Sequence, residues 1–288
     1  MKIVRWLAVL SLSYIVVSGA AADSVWQVSN GKSKLYLGGT VHMLNSSDYP
    51  FPPAYDKAYS ASKVLVFETD VEKAQSDEFK IRMMKALTYQ DGSRLKSAIS
   101  PESFADLEAF AKTRNIPFER YGNFTPVGIT LVFSVGEMQR LGMQQEYGVD
   151  AVYYQKAAKE NKKIDHLESL DEQMNYILNM GGGDPDALIQ YTLKDMDNMP
   201  KEIAAIKAAW RSGDLPALQK LTIDDMEKSY PEIYQSLVLQ RNKNWIPKIE
   251  AMLKNKDVEF ILVGAAHLAG PEGLVAQLQS EGYKVEKF

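Results

Sequence analysis

The segment from Lys34 to Asp70 most restricts the fold available to this chain. A β-rich run, Lys34-Leu35-Tyr36-Leu37, leads straight into Gly38-Gly39-Thr40-Val41-His42. After Pro52-Pro53, Ala54 to Ser62 has the character of a short helix, and the apolar run Val64-Leu65-Val66-Phe67 follows, ending in Glu68-Thr69-Asp70. A strand, a short crossover helix and a second strand form a βαβ unit, which favours parallel pairing and an α/β architecture. Upstream, Asn30-Gly31 separates Val25-Trp26-Gln27-Val28 from the Lys34 run, the signature of a hairpin. Downstream, Lys163 to Leu167 reads as a short strand with Glu168 at its end. Ser169 and Glu172 form a capping box for the next helix. The apolar run Val258 to Val263 reads as a buried strand that stops at Gly264-Ala265-Ala266-His267, and Tyr283-Lys284-Val285 reads as a terminal strand.

The intervening stretches have helical patterning. Ser100-Pro101-Glu102 pairs a cap residue with Pro at the first helical position, and Pro126 opens an apolar helix. With no composition break that marks a linker, residues 23–288 read as a single α/β domain, a mostly parallel sheet flanked by helices, with helical insertions at about 72–145 and 186–255. A basic start (Lys2, Arg5), an apolar stretch from Trp6 to Val17 and Ala20-Ala21-Ala22 describe a signal peptide over residues 1–22, cleaved after Ala22. Twelve residues are too few to span a bilayer, which needs about 20, and no later apolar run approaches that length. The expected product is periplasmic or secreted, without a stable membrane span, and has 31 basic against 37 acidic residues. That mild balance gives no sign of nucleic-acid binding.

The 288 residues include no Cys, which excludes disulfides, thiolate metal sites and cysteine nucleophiles. Imidazole chemistry is left to His42, His166 and His267. Two of these end strands in the same G-x-x-H pattern, Gly39-Thr40-Val41-His42 and Gly264-Ala265-Ala266-His267. In open α/β sheets ligands sit beyond the carboxyl ends of the strands, and four strands here end at His42, Glu68, Glu168 and His267. Imidazole and carboxylate can hold a divalent metal without sulfur and can move protons near neutral pH. His166, two residues before Glu168, reads as structural or surface. By composition alone Arg241, in Gln240-Arg241-Asn242-Lys243-Asn244-Trp245, reads as a surface charge.

Taken in order, Leu37 to His42, Val66 to Asp70, Tyr147-Gly148-Val149-Asp150, Leu167-Glu168-Ser169, Arg241-Asn242 and Val263 to Gly270 resemble the TraB/PrgY/GumN family, over about Leu35 to Val285. The resemblance implies a fold similar to erythromycin esterase-like and haem-binding ChaN-like proteins. It carries His42, His267, Glu68, Glu168 and Arg241 into one site, with Tyr147, Asp150 and Asp70 as supporting positions. Animal relatives, the Tiki proteins, are metal-dependent proteases that trim Wnt ligands, and the PrgY branch is linked to blocking a peptide pheromone.

The resulting expectation is a metal-dependent hydrolase of a peptide or another amide or ester. His42, His267 and Glu68 would bind Mn, Co or Zn, the glutamate left free would act as general base, and Arg241 would stabilise the oxyanion. A metal-free version with a histidine base uses the same residues. The alternative is an envelope binding protein that sequesters a small ligand, a peptide or haem.

Overall fold

The computed structural model describes residues 23–181 and 183–288, so the signal peptide expected at residues 1–22 lies outside the described residues. Among them, no helix is long and apolar enough to cross a membrane. The six strands are β1 (Val25–Ser29), β2 (Lys34–Thr40), β3 (Val64–Phe67), β4 (Lys163–His166), β5 (Glu259–Gly264) and β6 (Lys284–Lys287). They form one sheet in the order β4-β3-β5-β2-β1-β6. β4, β3, β5 and β2 pair in parallel, and β1 runs antiparallel to both β2 and β6.

The βαβ reading holds for direction and fails for adjacency. β2 and β3 run the same way but do not touch, because β5 enters between them and pairs with each. Every residue of β5 is buried, as expected for a central strand covered on both faces. The hairpin is also looser than a two-residue turn: β1 and β2 are joined across Asn30 to Ser33, with Gly31 at φ 84° and Asn30 Oδ1 accepting from the Lys32 and Ser33 N–H groups.

Strand alternation divides the core into two layers. Tyr36, Leu65, Phe67, Phe260 and Leu262 face one layer, which is covered by Tyr55 and Tyr59 of the Pro53–Ala61 helix, Tyr153 of the Val149–Lys159 helix, and Trp210 of the Pro185–Ser212 helix. Leu35, Leu37, Val64, Val66, Ile261 and Val263 face the other, beneath Trp245 and Ile249 of the Gln240–Met252 helix and Leu274 and Leu278 of the Leu274–Ser280 helix. A third cluster, including Leu107, Ile129, Phe133, Ile189 and Met196, holds the helices of the two expected insertions against one another.

Local chemistry explains where the helices begin. Ser100, Thr125, Ser169 and Asp184 each accept a backbone N–H from the first turn of the helix that follows. At Ser169 the capping box is complete, Glu172 returning a bond to the Ser169 N–H. The four parallel strands share one polarity, so the segments after Thr40, Phe67, His166 and Gly264 emerge at one end of the sheet.

Candidate functional site

His42 and Glu68 face each other at this shared end. His42 Nε2 and His267 Nε2 lie 4.0 and 3.9 Å from the same oxygen, Glu68 Oε1. The G-x-x-H strand ends therefore converge on one carboxylate, as their matching positions suggested. Each imidazole is oriented through Nδ1. Asp150 Oδ2 lies 2.8 Å from His42 Nδ1, and Asn242 Oδ1 lies 2.7 Å from His267 Nδ1. Asn242 Nδ2 donates to the His267 and Glu272 carbonyls, which leaves Oδ1 as the acceptor and assigns the His267 proton to Nδ1.

Arg241 occupies the centre. Its Nε donates to Glu168 Oε2 at 3.1 Å, and its Nη2 donates to Glu68 Oε2 at 2.5 Å and Glu168 Oε1 at 2.7 Å. Its Nη1 meets His267 Nε2 at 3.1 Å and the Leu237 carbonyl at 3.3 Å. All five guanidinium N–H donors are engaged. The local backbone explains the placement: residues Gln235–Leu239 wind a π-helical turn directly before the helix that carries Arg241, and a carbonyl of that turn receives one of its N–H groups. Such wide turns recur at functional sites.

The electrostatics are uneven across the cluster. Burial alone would raise Glu68, but Arg241 foremost outweighs it, and with the Gly264 N–H bond at 2.7 Å holds Glu68 well below the usual carboxylate range. For Glu168 burial prevails and raises it, although Arg241 and Trp245 both donate to it. Burial, followed by Arg241, pushes His267 down to about 3, so its ring is neutral. The Asp150 carboxylate pushes His42 up toward about 9 against desolvation. With 58% of the His42 side chain exposed, solvent screening trims that shift and leaves its direction.

A cleft of about 320 Å³ opens onto this cluster and is lined by His42, Glu68, Asp150 and Arg241, with Thr69 beside them. That volume is at the small end of ligand pockets. One wall is apolar, including Phe67, Val71, Ile177 and Leu237, and Gln75, Gln145, Gln173 and Tyr176 supply neutral polar groups. Glu168 and His267 are not in the lining. They are 3% and 5% exposed and stand behind Arg241. Asp70 also turns away, capping the Val71–Ala74 helix and pairing with Lys73. Tyr147 packs edge-on against Tyr49 and accepts the Tyr49 hydroxyl at its carbonyl. His166 is exposed at the end of the edge strand β4.

The donor set bears directly on a metal. Both imidazoles have Nδ1 occupied and direct Nε2 inward, the arrangement that prepares a histidine for ligation. A Cβ on Gly264 would lie 3.3 Å from Glu68 Oε1 and 3.4 Å from His42 Nε2, so glycine leaves a small space between these two donors. His267 Nε2, by contrast, already accepts from Arg241. The anticipated trio of His42, His267 and Glu68 is thus reduced to His42 and Glu68 while that bond is made, and among the described residues no group of three His, Asp or Glu side chains is arranged around an ion. Two inward donors remain, His42 Nε2 and Glu68 Oε1, fewer than the three protein ligands of an ordinary catalytic zinc site.

The anticipated oxyanion role of Arg241 meets a similar restriction, because no N–H of its guanidinium is free. Sequence reasoning placed Asn242 in the shared pattern without a role and passed over Trp245; they bond to His267 and Glu168. For Trp245 the trace in the sequence is its spacing of four from Arg241 on one helix.

Gly148 fixes the His42–Asp150 pair. Its φ of −62° suits any residue, but an added Cβ would lie 2.1 Å from the His42 carbonyl oxygen. Gly148→Ala should therefore lower stability by about 1–3 kcal/mol, as overpacking does, and part the segments that carry His42 and Asp150. A urea midpoint equal to that of the wild type would show that this contact is not needed.

The model of the TraB/PrgY/gumN family matches residues 24–287. Uncharacterized protein YbaP of Escherichia coli (strain K12) is 25% identical over 251 residues, covering 86% of this chain and 88% of the relative. The protein of the same name from Shigella flexneri matches with the same identity and coverage. No solved structure gives a significant match.

Proposed function

We propose, from the premise that this chain belongs to the TraB/PrgY/gumN family, that it is an exported, periplasmic or secreted hydrolase acting on a peptide or another amide or ester bond. One observation carries the reading: at the carboxyl ends of the parallel strands, His42 Nε2 and Glu68 Oε1 stand 4.0 Å apart and both line a cleft.

A water hydrogen-bonded to both atoms would be held for attack on a carbonyl entering the cleft. His42 would take its proton as general base once its raised value is exceeded and the ring is neutral, so turnover should climb as pH rises toward about 9, and Asp150, bonded to Nδ1, would stabilise the imidazolium that forms. Glu68, held low by Arg241, stays ionised and orients the water as an acceptor. Arg241 and Glu168 work from behind by fixing Glu68 and balancing its charge. Protonated His42 would then return the proton to the leaving amine or alkoxide, completing the hydrolysis. A divalent ion would be held by His42 and Glu68 and would supply a Lewis acid that polarises the carbonyl.

The test is cleavage of a peptide library by protein purified without a histidine tag, read by mass spectrometry before and after chelation. The expected result is cleavage at defined bonds. Loss on chelation with recovery on Mn, Co or Zn would support the metal, whereas cleavage indifferent to chelation would assign the chemistry to His42 and Glu68 alone. A library left intact under every condition would sink the hydrolytic reading.

A further inference from the structure

We infer that the cleft receives an uncharged carbonyl, that of an internal amide or ester bond, on the hydroxyl of Thr69, and that it turns away acyl groups carrying a carboxylate or phosphate. The inference rests on the hydrolytic reading of the same cleft and adds to it the donor that meets the substrate and the charge the substrate has.

A carbonyl under attack needs a hydrogen-bond donor aimed at its oxygen. Arg241 would be the obvious one, but its donors are spent on Glu68, Glu168, His267 and the Leu237 carbonyl. Thr69 lines the cleft next in sequence to Glu68, is 8% exposed, and its Oγ1 is buried with no hydrogen-bond partner in the protein. A buried hydroxyl without a partner is destabilising, and such groups are few in folded proteins. Among the described residues Thr40 Oγ1 and Glu259 Oε2 also lack a partner, but of the three only Thr69 lines the cleft, where a ligand can supply one. Solvent does not reach Oγ1 in this conformer, and a turn about χ1 carries the hydroxyl to another of its staggered positions without moving the backbone.

Charge narrows the ligand further. The carboxylate and guanidinium groups lining the cleft are Glu68, Asp150 and Arg241. Arg241 is already neutralised by two carboxylates, and Asp150 is paired to His42. A ligand carboxylate would meet two like charges, Glu68 and Asp150, while the two cations of the lining, Arg241 and His42, are already paired with them, an arrangement that selects against it. Beside these groups, Val71, Ile177 and Leu237 offer an apolar wall to a flanking side chain.

The experiment uses the full mature protein with N-acetylated dipeptide amides bearing apolar side chains, and the same dipeptides as free acids, with binding read by affinity-selection mass spectrometry. The wild type is expected to retain the amides at least about tenfold better than the acids. Thr69→Val should weaken amide retention about threefold to tenfold, the range of one neutral hydrogen bond, and Thr69→Ser should restore it. Because Val removes an unpartnered hydroxyl, the urea midpoint of Thr69→Val should equal or exceed that of the wild type. Gln173→Lys, which adds a free cation to the lining, should raise retention of the acids.

Equal retention of amides and acids, no retention of either, or unchanged binding in Thr69→Val would overturn the inference. A fall in the midpoint of Thr69→Val would likewise overturn it, by assigning the hydroxyl a structural role. Amides that bind and are never cleaved would sink hydrolysis and leave this inference standing.

Discussion

Arg241→Ala is expected to lower the stability of the protein by about 3–5 kcal/mol near pH 8, the usual result of leaving buried charges without their partner. The guanidinium side chain is 10% exposed, and those of Glu68 and Glu168 are 7% and 2% exposed, so water cannot replace it. The loss should depend on pH. In the wild type Glu68 is held below its unfolded value, so its contribution is present above the ordinary carboxylate range and is lost as pH falls through the depressed folded value. In the variant burial is opposed only by weaker partners, among them the Gly264 N–H at Glu68 and the Trp245 N–H at Glu168, and should raise both carboxylates above their unfolded values, so stability is lost as pH rises through that range. The gap between the two proteins should therefore be widest at neutral and alkaline pH and narrow toward pH 5. Urea unfolding of both at pH 5 and pH 8 checks this. A gap under about 1 kcal/mol, or one of the same size at both pH values, would mean that Arg241 does not hold these carboxylates.

Replacing Arg241, Glu68 and Glu168 together by apolar residues of similar volume should be far less harmful than removing Arg241 alone, because a buried ion cluster contributes little net stability once its desolvation is counted. The cluster is thus poorly explained as a device for stability. What it provides is a carboxylate that stays ionised inside the protein, with Gly264 N–H on one oxygen and Arg241 on the other. An ionised acceptor fixed 4.0 Å from a half-exposed imidazole is useful for chemistry.

How much of this was legible in the sequence follows from the range of each interaction. Strand ends at His42, Glu68, Glu168 and His267 could be read because short β-rich runs mark them, and the helix starts at Ser100, Pro126 and Ser169 because caps and first-turn prolines act over about three residues. Sheet order could not be read the same way. β5 pairs with β2 and β3 across some 200 residues, and nothing local to the Lys34–Asp70 segment reserves a place between its two strands. Arg241 looked like a surface charge because its helix is polar by composition. Its burial follows from two carboxylates 173 and 73 residues away in the chain. Asp150 and Asn242 act through the far nitrogen of each histidine, a relation that exists only once the rings are placed. Asp70, grouped with Glu68 by adjacency, leaves the cleft because it caps the next helix instead.

The sharpest separation of chemistry from scaffolding comes from comparing Glu68→Gln with Glu168→Gln. Both carboxylates accept on both oxygens: Glu68 from Gly264 N–H and Arg241, Glu168 from Arg241 twice and from Trp245. An amide has one oxygen, so in either variant its NH₂ group must face a donor, and each should lose about 1–3 kcal/mol of stability by urea unfolding. Only Glu68 lines the cleft beside His42. Turnover per folded molecule should therefore fall about 10²-fold or more in Glu68→Gln, the scale for misplacing a reacting group such as the attacking water, and by less than about tenfold in Glu168→Gln, whose side chain does not reach the cleft. The apolar dipeptide amides should still bind to Glu68→Gln, since the carboxylate acts on the water and not on the ligand. Equal losses of turnover in the two variants would reduce Glu68 to a support for Arg241. Undiminished turnover in Glu68→Gln would remove it from the chemistry and move the water-holding role to His42 alone.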